Sequence, residues 1–297
     1  MHPSTYGLKP LDHSGATPPA DPAPLTRRHF IAASLASGFA LASEPLFAQA
    51  IRTDSAGLLA GEIRIPAAGG DIPAYRAVPA GKGPFPVVVV VQEIFGVHEY
   101  IQDVCRRLAK RGYYAVAPDL FVRQGDVSAM TDIPAILKDV VSKVPDAQVM
   151  ADIDATVAHV ATDRRAKASR LGIVGFCWGG RTVWLYAQHN PKVKAGVAYY
   201  GLLDGMKSDI KPADPVDIGA TLKVPVLGLY AGMDGFVPGA TVDRMRSEID
   251  ASGSGSQIIV FPNVNHGFHA DYRPTYNAAA AQYGWKLTLD WLKERGV

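Results

Sequence analysis

The stretch Leu171-Gly172-Ile173-Val174-Gly175-Phe176-Cys177-Trp178-Gly179-Gly180 decides the fold. Its first residues form an apolar run of strand character. The pattern G-x-nucleophile-x-G follows, with a thiol where most such turns carry a serine hydroxyl. A strand enters a turn too sharp for side chains at the flanking positions, and a helix leaves it. The nucleophile is thereby raised onto the tip of the turn, at that helix's N-terminus. Arg181 to Gln188 reads as the helix, and Asn190-Pro191 stops it. The hexapeptide alone also fits a Gly-flanked buried cysteine in a Rossmann-like turn. The strand before it and the helix after it favour the nucleophile elbow.

From Leu59 onward the chain alternates strand and helix. Glu62 to Ile65 and Ile72 to Ala77 read as an antiparallel hairpin around Gly69-Gly70-Asp71. Pro86 to Val91 is a continuous β-branched run, which suits a strand buried on both faces. A helix from about Glu99 to Arg111 follows, then a strand from Tyr113 to Ala117 closed by Pro118-Asp119. Phe121 to Pro145 is a less regular excursion. A helix from about Ala147 to Thr162 leads to the strand that enters the elbow. Further strands are expected at Ala195 to Tyr200, Val224 to Tyr230 and Ile258 to Phe261, with helices at Val242 to Ile249 and Ala278 to Glu294. Asp204 to Thr221 reads as loop. Alternation with long apolar strands implies a mostly parallel sheet with helices on both faces. The elbow in its centre narrows this α/β class to an α/β-hydrolase fold.

The N-terminal residues 1–50 are excluded from that domain. Residues 1–24 are rich in Pro, Gly and Ala and read as disordered. Thr26-Arg27-Arg28-His29-Phe30-Ile31 is a twin-arginine signature. The mildly apolar stretch Ile31 to Leu41 follows, and Ala48-Gln49-Ala50 offers a small-x-small cleavage site. The expectation is a precursor exported to the periplasm by the twin-arginine translocation machinery. The apolar stretch is too short to span a bilayer, so no permanent membrane anchor is implied. Residues 51–297 then suit one large α/β domain.

A net charge of +2 gives no case for nucleic acid or an anionic membrane surface as partner. Two cysteines are too few for a disulfide scaffold. In an oxidising export compartment a free thiol is a liability, so retention of Cys177 suggests use. Cys105 joins Ile101, Val104 and Leu108 in a helical apolar stripe and reads as core. His98, His159 and His189 are scattered without ligand spacing, so no metal is implied.

An elbow nucleophile needs an acid and a histidine later in the chain, at the C-terminal ends of strands. Asp234 in Tyr230-Ala231-Gly232-Met233-Asp234-Gly235 and His266 in Asn263-Val264-Asn265-His266-Gly267-Phe268 meet order and placement. His266 would pair with the Cys177 thiol, and Asp234 would hold the other imidazole nitrogen. His269 competes with His266, which follows its strand more closely and precedes Gly267. Asp204 competes with Asp234, but Asp204-Gly205 reads as a simple turn. Oxyanion donors would be the backbone N–H of Trp178 and, from the loop Gln92-Glu93-Ile94-Phe95-Gly96-Val97, that of Ile94. Glu93 follows five valines at a buried strand end, where a carboxylate is costly unless paired or protonated. Either it contacts the thiol and modulates its protonation, or it forms an ion pair with an arginine such as Arg181 or Arg273.

Gln92 to Val97, Gly175 to Gly180, Met233-Asp234 and His266-Gly267-Phe268 together resemble the dienelactone hydrolase (carboxymethylenebutenolidase) family, from about Leu59 to Leu292. The resemblance implies a thiol hydrolase without a cofactor, with Cys177, His266 and Asp234 as its triad. It implies that Glu93 contacts the thiol, and that the amides of Ile94 and Trp178 bind the oxyanion. The family's type enzyme is cytoplasmic, acts in chlorocatechol breakdown, and holds a substrate carboxylate with arginines. One comes from the excursion after the fourth strand and one follows the histidine. Arg123 and Arg273 are the corresponding candidates here. The family also hydrolyses other lactones and esters.

The leading expectation is therefore a hydrolase of lactones or small esters that works through a thioester acyl-enzyme. A thiolate is a strong nucleophile, and a thioester is readily hydrolysed. A general carboxylesterase is a neighbouring reading. A non-catalytic binding protein on a hydrolase scaffold would be expected to carry a broken triad. A thiol redox protein would have to pair Cys105 with Cys177, against the core placement of Cys105.

Overall fold

The computed structural model describes residues 51–297. Residues 1–50, which carry the export-signal reading, lie outside the described residues. Val87 to Val91 end the strand Phe85–Val91, and all five valines are fully buried. A β-branched run without polar alternation suits a strand covered on both faces. It is β3 of one eight-stranded sheet. The others are β1 (Leu58–Ile65), β2 (Ile72–Pro79), β4 (Tyr114–Pro118), β5 (Ala166–Phe176), β6 (Val193–Tyr199), β7 (Val226–Ala231) and β8 (Gln257–Phe261). The order is β1-β2-β4-β3-β5-β6-β7-β8. β1 and β2 pair antiparallel, as do β2 and β4; the remaining pairs are parallel. This is the open, mostly parallel sheet of the α/β-hydrolase fold.

Among the described residues, five long helices accompany it: α1 (Glu99–Lys110), α2 (Asp146–Val160), α3 (Trp178–His189), α4 (Gly239–Ser252) and α5 (Ala278–Glu294). Two glycines of β5 show how α3 and α5 cover opposite faces. A Cβ on Gly172 would lie 2.9 Å from the Leu292 side chain of α5. A Cβ on Gly175, three residues on and so on the other face, would lie 2.9 Å from Val183 of α3. β5 thus runs through the middle of the molecule, between β3 and β6. Its C-terminal end carries the elbow.

Several boundaries differ from those read in the sequence. β5 starts at Ala166, not Leu171, because its first five residues alternate in exposure and lack the apolar run of the buried half. α3 starts at Trp178, three residues before Arg181, since Gly179-Gly180 weakens the local helix signal. The expected loop at 204–221 contains a helical turn, Pro215–Ile218. The Asp217 carboxylate caps it by accepting the Asp214 N–H at 2.9 Å. The excursion also carries helical turns over Ile133–Val140, started by Asp132, whose side chain accepts the Ala135 N–H at 3.0 Å.

Candidate active site

Cys177 sits at φ 54° and ψ −114°, outside the ordinary regions for a residue with a side chain. Such strain costs about 1–3 kcal/mol and persists only where the surroundings impose it. Here the Cys177 N–H donates to the Tyr199 carbonyl of β6 at 3.0 Å, and its carbonyl accepts the Gly180 N–H at 2.9 Å. The glycines of the motif are there because backbone crowds in on them. A Cβ on Gly175 would meet the Gly179 carbonyl oxygen at 2.2 Å. One on Gly179 would meet the Val91 oxygen at 2.4 Å, and one on Gly180 the Tyr199 oxygen at 2.5 Å. The elbow is therefore pressed between the ends of β3 and β6.

His266 and Asp234 arrive from the loops after β8 and β7. His266 Nδ1 and Asp234 Oδ2 are 2.8 Å apart. The other carboxylate oxygen accepts the N–H groups of Phe236 at 2.8 Å and Val237 at 3.2 Å, which fixes its plane. The two loops are tied to each other by Gly232 N–H to Phe261 O at 2.7 Å and Met233 N–H to Val264 O at 3.0 Å. The imidazole lies between two rings, Tyr200 at 5.0 Å and Phe236 at 4.9 Å, both edge-on. Burial works against a charged imidazole, but Asp234 and the Cys177 sulfur, which hydrogen-bonds the ring, outweigh it and push the His266 pKa up to about 10. The structure thus brings Cys177, His266 and Asp234 together.

The competing residues are engaged elsewhere. His269 Nδ1 is 2.7 Å from the Tyr100 hydroxyl, and burial with the nearby Arg107 charge lowers its pKa to about 3. Asp204 faces Arg244 at 3.4 Å. Cys105 is fully buried on α1, where burial pushes its thiol well up, and neither cysteine is in a disulfide.

Glu93 is fully buried and forms the ion pair with Arg273. Arg273 Nη2 donates to Glu93 Oε1 at 3.1 Å, and the Tyr272 hydroxyl donates to Oε2. Arg273 Nε also donates to the Tyr272 oxygen at 3.2 Å, and His98 Nε2 is 3.8 Å from Glu93 Oε2. Burial alone would raise the Glu93 carboxyl. The Arg273 charge, His98 and Tyr272 override it and hold the pKa at about 2. The cluster ties the loop of Ile94 to the loop that follows His266. Arg181, the other arginine considered, is paired with Asp146 and Asp214. Arg123 lies away from the thiol, paired with Asp152 on α2 and donating to the Ala68 carbonyl at 2.9 Å.

A cavity opens onto Cys177 and His266, and both Ile94 and Trp178 line it. Trp178 is the first residue of α3, so its N–H has no acceptor within the helix. The remaining wall comes from Leu137 and Val141 of the excursion, Tyr200, Leu202 and Met206 after β6, and Phe236 after β7. None of these wall residues was picked out from the sequence, nor was Tyr272. Tyr200 carried the clearest signal, since it ends the strand beside the elbow strand. Among the described residues there is no group of three or more His, Cys, Asp or Glu placed to hold a metal ion. No described helix is long and apolar enough to cross a membrane.

Residues 72–296 match the Dienelactone hydrolase family. A protein of Methylorubrum extorquens named "Putative carboxymethylenebutenolidase" is 60% identical over 92% of this chain and 94% of its own length. One of the same name from Escherichia coli is 51% identical over 88% and 96%. The crystal structure of a "Putative Dienelactone Hydrolase" from Klebsiella pneumoniae superposes with a TM-score of 0.78 at 51% identity, covering 80% of this chain and 99% of that one. With this match spread over nearly all of the described residues, the chain belongs to the dienelactone hydrolase family of ester and lactone hydrolases.

Proposed function

We propose that the chain hydrolyses lactones or small carboxylic esters by covalent catalysis from Cys177. The observation that carries this reading is the meeting of a thiol on a strained elbow with a histidine that is itself held by Asp234 at 2.8 Å. With the thiol proton on His266, the sulfur attacks the substrate carbonyl. The C=O π pair moves onto oxygen, where the N–H groups of Ile94 and Trp178 receive the oxyanion. Collapse of the tetrahedral intermediate breaks the C–O bond. The imidazolium gives its proton to the departing alkoxide, which for a lactone stays attached to the acyl group. A water molecule, deprotonated by His266, then attacks the thioester. The thiolate leaves, the acid is released, and the enzyme returns to its starting state.

Glu93 has a positioning part in this scheme. Its bonds to Arg273 and Tyr272 fix the oxyanion loop against the histidine loop, so that the donor and the base keep their separation. The test is Cys177→Ala assayed on p-nitrophenyl esters and simple lactones. The expected result is a loss of at least about 1,000-fold in kcat with unchanged thermal unfolding. Retention of more than about one per cent of activity would refute the covalent mechanism.

Export through the twin-arginine pathway to the periplasm belongs to the same proposal and rests on Arg27, Arg28 and the stretch after them. Replacing both arginines by lysine should leave the protein in the cytoplasm. Periplasmic recovery of that variant would sink the pathway assignment.

A further inference from the structure

We infer that this site selects uncharged substrates with a small apolar acyl group and discriminates against those whose acyl group carries a carboxylate. The inference rests on the hydrolase reading above and concerns what the Cys177 cavity accepts. Beyond the reacting groups, the wall is made by Leu137 and Val141, by Leu202 and Met206, by Phe236 and by Tyr200, whose hydroxyl is itself buried. No described arginine or lysine lines it.

The nearby cations already hold partners, although the Arg273 charge still reaches the Cys177 sulfur. Arg273 has a side chain only 3% exposed, bonded to Glu93 and Tyr272 and laid over the Phe95 ring at 5.1 Å. Arg181 is 1% exposed and grips both oxygens of Asp146, at 2.8 and 2.9 Å. Lys211, also buried, donates to the carbonyls of Val141, Ser142 and Val144. That lysine ties the loop after β6 to the excursion, so two walls of the cavity are held to each other.

A substrate carboxylate entering here leaves water without gaining a cationic partner, which is costly. Recruiting Arg273 would require taking it from Glu93, leaving one buried carboxylate unpaired for each one satisfied. An alkyl acyl group meets mostly apolar surface instead. Met206, unbranched and adaptable, tolerates modest differences in its shape.

The experiment compares p-nitrophenyl butyrate with p-nitrophenyl hemisuccinate, which replaces the terminal methyl of the acyl chain by a carboxylate. The leaving group is the same, so differences report on the acyl pocket. The expected kcat/KM favours butyrate by at least about tenfold. Equal values, or a preference for hemisuccinate, with both activities lost in Cys177→Ala, would overturn the selectivity and leave the hydrolase reading standing. Hydrolysis of neither ester, nor of any lactone tried, would overturn the hydrolase reading and this inference with it. As a second arm, Met206→Arg and Leu202→Lys each place a cation on the wall. Either variant that unfolds at the wild-type temperature should move the ratio toward hemisuccinate by about tenfold through KM. An unmoved ratio in such a variant would overturn the inference.

Discussion

Replacing Glu93 by glutamine keeps the shape of a fully buried side chain and removes its charge. The folded protein holds this carboxyl at about 2 against an ordinary 4.5, with burial opposing and the Arg273 guanidinium leading the groups that outweigh it. A depression of that size corresponds to about 3 kcal/mol, at 1.36 kcal/mol per pH unit. Because the folded value is the lower one, the stabilisation is complete above pH 4.5 and is lost as the pH falls through about 2. Glutamine stands in for the protonated acid. Near neutral pH the variant therefore lacks this contribution and leaves Arg273 as a buried, uncompensated charge. Glu93→Gln should be about 3 kcal/mol less stable near pH 7, or roughly 6–12 °C lower in Tm for a domain of this size. The gap should shrink to less than about half by pH 3, where the wild type has surrendered most of the same stabilisation. Circular-dichroism melts of both proteins at several pH values between these limits measure it. Comparing the two proteins cancels the acid titration of all other carboxylates. A gap below about 1 kcal/mol near neutrality, or one of equal size at both ends of the range, would refute the argument that the Arg273 pairing sets the Glu93 pKa.

Asp234→Asn should lower kcat by roughly 100-fold to 10,000-fold, because the imidazole loses both its orienting acceptor and the charge that supports its protonation. The His266 pKa is raised from 6.5 to about 10, so its contribution to stability is complete below pH 6.5 and is lost as the pH rises through about 10. The Tm difference between wild type and Asp234→Asn should accordingly narrow over that interval; a constant difference would contradict the assignment. The Tyr200 hydroxyl is buried without a hydrogen-bond partner among the described residues. Tyr200→Phe removes that unsatisfied group and should melt at the wild-type temperature or above, whereas a loss of more than about 1 kcal/mol would show that the hydroxyl is bonded.

The parts of the molecule legible in the sequence are those where backbone geometry dictates the side chain. Gly175, Gly179 and Gly180 stand in the sequence because carbonyl oxygens lie within 2.5 Å of where each Cβ would be. Their pattern announces the elbow, and with it β5 and α3. The valines of β3 announce a strand covered on both faces, which places Glu93 and Ile94 beside the elbow. Asp234 and His266 were legible through chain order and their position just past strands. The choice of His266 over His269 depends on the direction each ring faces, which a spacing of three residues in a loop does not encode; the Tyr100 hydroxyl holds His269 away. Glu93 left two readings open, since a buried carboxylate at that place needs a partner but local sequence does not name it. Arg273 is 180 positions away, and only the return of the chain after β8 brings it within 3.1 Å. Arg123 illustrates the reverse. It lies in the expected excursion, yet Asp152 on the adjacent α2 holds it first.

The same distinction separates the chemistry of this site from its selectivity. Cys177, Asp234 and His266 project from strand ends, so the sheet fixes their spacing. The substrate wall has a different origin. Leu137 stands on a π-helical segment, Ile136–Val140, Val141 on the 3-10 turn that follows it, and Leu202 and Met206 on a loop whose conformation is set at a distance. Asp214 holds that loop by accepting the N–H groups of Gly205 and Met206 at 2.6 and 3.0 Å, and Lys211 fastens it to the excursion. None of these contacts depends on a short motif. An apolar substitution in either segment alters what the thiol meets without disturbing the elbow. The acyl group accepted can therefore change while the family fingerprint stays intact, so this chain's substrate is better read from the residues facing Cys177 than from the relatives it resembles.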